Sequence, residues 1–309
     1  MYGKRLIEAL LWMVVLIWAG NYTLGKVGMR EFSPAAFTAL RFAIATPFMF
    51  LLLRWREGAV RFSRPDLPRL VVVGVIGVAL YQTVFIAAVK YTTVTTASLM
   101  LGLSPIFTAF FNALSGHENL RPSYLLGAGV AFAGLTLVIS SGPGELGLNA
   151  ATLKGDILAF IASVLWGLYP VLATPILKKH SALWVTAHSS LIGVAVLLIY
   201  STPDLGSMNW PAVSRAAWAS LLYAAIPVTV ISLVAWYYGI EKIGANQVMI
   251  YMYMITPTAM AIAALTIGET INAFQIIGTG ITLLGVYLVK RQPESKRPDQ
   301  AEAENPAPK

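Results

Sequence analysis

Two stretches of the chain repeat one pattern at an interval of 152 residues: Lys90 to Gly116, with Ser104-Pro105 inside it, and Lys242 to Gly268, with Thr256-Pro257 at the same place. The echo continues past both glycines. One extra residue, His117, changes the interval to 151, and Glu118 then pairs with Glu269, Gly127 with Gly278, Gly129 with Gly280 and Gly134 with Gly285. Trp18-Ala19 is echoed more loosely by Trp166-Gly167. So many matches in one order mark an internal duplication.

The duplicated unit belongs in lipid. Hydrophobic residues are 57% of the chain and charged residues 12%, with a mean hydropathy of +0.69, whereas soluble domains are about 25% charged. Crossing a hydrocarbon core of about 30 Å takes about 20 apolar residues. Such runs fall at Leu6 to Gly28, Pro34 to Leu53, Leu70 to Val89, Thr95 to Leu114, Tyr124 to Ser140, Ile157 to Thr174, Leu183 to Tyr200, Ala216 to Gly239, Gln247 to Ile267 and Ala273 to Val289. That gives five spans per copy. An odd number starts on one side of the membrane and ends on the other, so the second copy is inserted upside down. The expected fold is all-α integral membrane, with ten transmembrane helices as two inverted five-helix repeats, residues 1–150 and 151–291. Residues 292–309 are rich in Pro, Glu, Lys and Ala and read as a disordered cytoplasmic tail.

Loop charge sets the expected orientation. With the N-terminus inside, sixteen of the 22 Lys and Arg residues fall on the inner side and five on the outer, and Arg41 lies within the second span. Both termini are therefore expected in the cytoplasm, and the net charge of +8 reads as a topology signal and an affinity for anionic lipid, not for nucleic acid. Lys4-Arg5 followed by Leu6 to Trp18 has the look of a secretory leader, but the apolar run outlasts a leader core and Trp18 has a counterpart in the second copy. It reads as a retained first helix. The chain has no cysteine, which excludes disulfides and thiolate metal sites.

Ten spans in two halves, Ser104-Pro105 and Thr256-Pro257 in the fourth helix of each half, the Gly116 to Glu118 and Gly268-Glu269 steps, and Gly127 and Gly278 after them together resemble the drug/metabolite transporter superfamily, specifically its EamA-type members. The resemblance covers residues 4 to 291, with His117 as a departure. Within that group the chain looks most like bacterial exporters of aromatic amino acids, by overall likeness and aromatic content. The resemblance implies an inner-membrane carrier working by alternating access, with a small-molecule substrate and membrane lipids as partners. A broad exporter of drugs or nucleoside-like metabolites, a channel and a non-transporting scaffold stay open as alternatives, as does the oligomeric state.

All 14 acidic residues fall in loops, near helix ends or in the tail. Intramembrane acids are the usual carriers of protons and binders of cationic drugs, so a neutral or zwitterionic cargo is expected, moved by facilitated or weakly proton-linked transport. Rings at helical spacing supply the candidate site. Trp18 and Tyr22, Tyr81 and Phe85, and Trp166 and Tyr169 each share a helix face, and Trp236, Tyr237, Tyr251 and Tyr253 add to them. Such rings stack a planar substrate or hold a cation, although rings at these positions also serve as plain helix packing.

Asn21, Gln82, Ser98, Ser104, Thr256, Asn246 and Gln247 are the candidate polar contacts. Pro105 and Pro257 remove helical hydrogen bonds and are candidate hinges or static kinks. Arg41, His188, Lys90 and Lys242 are possible charged contacts, with snorkelling, packing and interfacial anchoring as the plainer roles. No metalloprotease, Walker A or dinucleotide motif occurs, and His117, His180 and His188 lack ligand spacing. No enzyme activity, cofactor or metal is expected.

Overall fold

The computed structural model describes residues 2–58, 62–91, 100–116, 122–141, 153–267 and 271–290. Among these, ten helical spans occur where the apolar runs lie. They are α1 (Tyr2–Gly28), α2 (Pro34–Glu57), α3 (Leu67–Val73, Gly74–Leu80 and Tyr81–Tyr91 end to end), α4 (Ser104–Leu114) and α5 (Pro122–Ser140). The second half has α6 (Leu153–Leu177), α7 (Ala182–Ser207), α8 (Arg215–Tyr223, Ala224–Ile231 and Ser232–Ile243), α9 (Ala245–Met249, Ile250–Met254 and Ile255–Ile267) and α10 (Ala273–Lys290). Five of the helices are long and apolar enough to cross a membrane outright, and Ser104–Leu114, Pro122–Val138 and Ala273–Leu288 are shorter apolar helices. The start of the fourth expected span, Ser98, Glu118, Glu269, the tail, and the side chains of Tyr22 and Lys90 lie outside the described residues.

Helix starts are written locally. Ser33, Ser181 and Ser214 each turn a side-chain oxygen onto a first-turn amide, that of Ala36, Trp184 and Ala217 respectively, at 3.1–3.2 Å. Gly58 closes α2 at φ 72°, and Gly244 at φ 84° separates α8 from α9. Both third helices, α3 and α8, contain a π-helical stretch at the corresponding place, Gly74–Leu80 and Ala224–Ile231. In α8, Pro227 has no N–H to give. Thr229 Oγ1 donates to the Ala224 carbonyl at 2.7 Å and Ser232 Oγ to that of Pro227 at 2.9 Å, each five residues back.

The packing itself carries the inversion. α3 lies against α7 and α6, and their counterparts follow suit: α8 lies against α2 and α1. Likewise α4 meets α6 and α9 meets α1, while α2 with α7 and α5 with α10 are counterpart pairs packed on each other. At the α5–α10 seam, a Cβ on Gly134 would meet the Gly278 carbonyl at 2.6 Å, and one on Gly285 would meet the Gly127 carbonyl at 2.6 Å. These two contacts are one contact seen twice, because Gly134 corresponds to Gly285 and Gly127 to Gly278. Thr282 donates to the carbonyl of its own counterpart, Ala131, at 3.5 Å. As numbering rises along α5 it falls along α10, so the helices are antiparallel and a pseudo-twofold axis crosses between them, perpendicular to both. The protein is a multi-pass membrane protein of two inverted five-helix repeats.

Candidate functional site

Seven rings form one continuous set of contacts midway along the spans. Trp18 lies 5.8 Å from Trp166 and 4.9 Å from Trp236 between centroids, and Trp166 is 6.4 Å from Trp236. Tyr81 stacks on Trp166 at 4.8 Å and on Phe85 at 5.8 Å. Trp166 continues to Tyr169 at 5.8 Å, and Tyr169 to Tyr237 at 5.3 Å. The rings come from α1, α3, α6 and α8, which are two counterpart pairs, so each repeat supplies the same two helices. Trp18 and Trp166, the loosely matched tryptophans, face each other where the two halves meet.

The tryptophan N–H groups are held. Trp18 donates to the Val228 carbonyl in the π stretch of α8 at 3.2 Å, and Trp166 donates to Met252 Sδ at 3.4 Å. Tyr169 is admitted by Gly77, because any Cβ there would run into its ring. Gly167 does the same for α4, since its Cβ would sit 2.8 Å from the Ser104 carbonyl, and Thr108 donates to the Gly167 carbonyl at 2.8 Å. Trp166, Tyr169, Trp236 and Tyr237 are buried; Trp18, Asn21, Gln82 and Phe85 are half-buried at the rim. Asn21 Oδ1, one turn beyond Trp18, is buried with no hydrogen-bond partner among the described residues, as is Ser104 Oγ. A ring surface bordered by unpaired polar atoms can stack a planar group and bond to its polar substituents.

Other sequence candidates lie elsewhere. Tyr251 packs at 6.0 Å on Trp12, and Tyr253 is fully buried without ring contact to the cluster. In the 3-10 turn Ile250–Met254 it is Met252, between them, that meets the cluster, through Trp166. His188 is packed among Trp184, Phe50 and Phe62, with Nδ1 2.9 Å from the Trp184 carbonyl. Lys242 pairs with its neighbour Glu241 at 2.5 Å. Arg41 lies above the Phe42 ring at 4.8 Å, in the span of α2. Pro105 falls in the first turn of α4, just after the turn at Gly102-Leu103, and Pro257 sits in the first turn of the α9 segment that follows the 3-10 stretch. Each fourth helix is thus interrupted immediately before its proline.

Two clusters close the ends of the bundle. On the face carrying the N-terminus, Asn112 Nδ2 donates to Asn246 Oδ1 at 3.0 Å, and Tyr124 OH donates to the Asn246 and Pro105 carbonyls at 3.2 and 3.3 Å, tying α4, α5 and α9. Nearby, Asp66 is bonded by Ser63 at 2.7 Å, His180 at 2.8 Å and Lys179 at 3.1 Å. On the opposite face, Glu31 accepts from the Ser214 amide at 2.6 Å and hydroxyl at 2.7 Å, which holds its carboxyl below the usual range. Ser33 donates to Asp204 at 2.9 Å. The described carboxylates lie at the bundle ends or close to them.

The π stretches were not anticipated from the sequence, and neither was the Gly77–Tyr169 contact. Gly74 and Gly77 in one helix and Pro227 in the other were the available signals.

The EamA-like transporter family profile matches the chain twice, over residues 6–140 and 153–291. An uncharacterized transporter of Archaeoglobus fulgidus is 31% identical over 90% of this chain and 95% of that protein. A protein of Streptantibioticus cattleyicolor named a probable terminal-alkyne amino-acid exporter is 25% identical over 92% of this chain and 93% of its own length. One of Salmonella typhimurium, named a probable amino-acid metabolite efflux pump, is 24% identical over 89% and 92%. A solved crystal structure superimposes with a TM-score of 0.78 at 18% identity, covering 92% of this chain and 96% of the other, which speaks for the fold. With the family profile matching each half and the inversion written in the packing, the chain belongs to the EamA-like transporter family and is a membrane transporter.

Proposed function

We propose that the protein exports amino acids, aromatic ones foremost, across the inner membrane, with both termini in the cytoplasm. The observation that carries this reading is the ring cluster: seven aromatic side chains from counterpart helices of both repeats, meeting at mid-depth where inverted-repeat carriers hold their cargo. An aromatic side chain enters such a cluster by replacing ring–ring contacts with contacts of the same kind. Two of the relatives bear amino-acid exporter or efflux names, which supports the same substrate class.

Alternating access follows from the two halves, 1–150 and 151–291, rocking about the cluster. The interruptions before Pro105 and Pro257 serve as pivots. The inner seam, closed by Tyr124, Asn112 and Asn246, opens to admit cargo from the cytoplasm. Among the described residues no carboxylate sits at mid-depth to carry a proton, which favours facilitated or at most weakly proton-linked transport. The chain does no covalent chemistry on its cargo.

Counterflow in proteoliposomes tests the reading. Vesicles are loaded with unlabelled Phe, Trp, Leu, Thr or a cationic dye, and entry of labelled Phe is followed. Saturable entry, stimulated most by internal Phe or Trp, is expected. Stimulation by the dye alone would replace the amino-acid reading with a drug exporter, non-saturating entry would indicate a channel, and no flux would leave a scaffold.

A further inference from the structure

Among the described residues, Arg41 has no counter-charge. It sits seven residues into α2, about 10 Å along the helix from Pro34. Its Nε is buried and has no hydrogen-bond partner, and no carboxylate among the described residues pairs with it. A guanidinium that snorkelled would carry its polar atoms to the interface. Here Nε is shut away from solvent. Its ring neighbour is Phe42, 4.8 Å below the guanidinium carbon, and its helix α2 packs against the Tyr81–Tyr91 segment of α3.

Tyr81 is also the ring stacked on Trp166 at 4.8 Å. The helix that carries the cation therefore packs on the segment that supplies Tyr81 and Phe85 to the ring cluster. Arg41 is half-buried with its Nε enclosed and unbonded among the described residues, which is costly for a cation, and its planar fork of N–H donors matches the two oxygens of a carboxylate. Lipid tails offer no such partner.

We infer that Arg41 is the carboxylate subsite of the ring-lined site, so that the cargo is a small aromatic acid or zwitterion rather than an aromatic amine. This rests on the ring cluster being the substrate site. Stacking holds the side chain on Trp18, Tyr81 and Trp166, while Arg41 binds the acid through parallel charge-assisted hydrogen bonds. An amine or ester of the same shape keeps the stacking and loses those bonds.

Equilibrium binding to the full-length protein in nanodiscs, read by tryptophan fluorescence, tests the inference with four probes: phenylalanine, 3-phenylpropionate, phenylalanine methyl ester and phenethylamine. The two acids are expected to bind about 10- to 100-fold more tightly than the ester and the amine, the range for hydrogen bonds to a charged group. Arg41→Gln should erase that preference without weakening the amine, and Arg41→Lys should restore part of it. Equal binding of acid and ester by the unaltered protein overturns the subsite, as does a preference that survives Arg41→Gln. If Trp166→Ala still weakens all four probes in either case, the ring site stands without Arg41. If no probe binds the unaltered protein, both the ring site and the subsite are wrong. Should Arg41→Gln fail to fold, the acid-to-ester comparison on the unaltered protein decides alone.

Discussion

Replacing Gly285 by alanine should damage the protein more than its chemistry suggests, because the added methyl meets backbone. Its Cβ would run into the Ala131 nitrogen and stand 2.6 Å from both the Gly127 carbonyl and Ala131 Cα, where ordinary contact begins at 3.4 Å. A main chain cannot rotate aside as a side chain does, so α5 and α10 must part by the shortfall, about 1 Å across the seam. Overpacking of this kind costs about 1–3 kcal/mol, and the helix preference of alanine over glycine returns about 0.8–1 kcal/mol. A net loss of up to about 2 kcal/mol follows, toward the upper end because the contacts are with backbone. Gly134→Ala, its counterpart, should lose a similar amount, since its Cβ would meet the Gly278 carbonyl at 2.6 Å. The double substitution should lose less than the sum, because one separation relieves both clashes. Gly129 and Gly280 are the control. They are exposed, with nothing within 4 Å of a built Cβ, so alanine there should be neutral or stabilising by up to about 1 kcal/mol. Unfolding by sodium dodecyl sulfate titration in mixed micelles reads these differences. If Gly285→Ala proves as stable as Gly280→Ala, the antiparallel seam between the repeats is misplaced.

Three other perturbations have defined outcomes. Tyr124→Phe removes the hydroxyl that bonds the Asn246 and Pro105 carbonyls; it should cost about 1 kcal/mol and raise hydrogen exchange over residues 245–254, and unchanged exchange would refute its role in the seam. Gly77→Ala should displace the buried Tyr169 ring, costing about 1–3 kcal/mol of stability and lowering phenylalanine counterflow per folded molecule, whereas full activity would separate Tyr169 from the site. Glu31 has its carboxyl depressed below the ordinary 4.5 by the Ser214 hydroxyl and amide. Its contribution is therefore complete above pH 4.5 and lost as pH falls through the lower folded value. Intrinsically corrected exchange over residues 209–217 should stay flat from pH 8 to 5 and rise only below 4.5, and Glu31→Gln should abolish that step.

The repeat could be read from sequence because the residues that mark it answer to backbone geometry. Gly127, Ala131 and Gly134 stand at helical spacing on one face of α5, as Gly278, Thr282 and Gly285 do on α10, and only small residues permit that approach. Gly129 and Gly280 match equally well in sequence but point to the outside, a distinction that the pairing alone did not express. The ring cluster was legible where helices run regularly: Tyr81 with Phe85 and Trp166 with Tyr169 share the faces their spacing implied, while the side chain of Tyr22, the partner expected for Trp18, lies outside the described residues. It was not legible where the helix changes pitch. Across Ile250–Met254 the winding is 3-10 and it is Met252 that meets the cluster, through Trp166, and the residue types there announce no such turn. The π stretches arise from Pro227 in one repeat and accompany Gly74 and Gly77 in the other, so no shared motif signals the shared conformation. Arg41 was visible as an oddity within a span; that its Nε is buried without a partner among the described residues was not.

The most direct test of the central claim, that rings from both repeats form the substrate site, is the KM for phenylalanine counterflow in Trp18→Ala and Trp166→Ala against Trp12→Ala. Trp12 makes its ring contact with Tyr251, outside the cluster. Stacking losses of about 1–1.5 kcal/mol should raise KM roughly tenfold in either cluster variant. The Trp12 variant should keep the unaltered value. Equal KM in all three proteins, each verified as folded and inserted, would contradict the account.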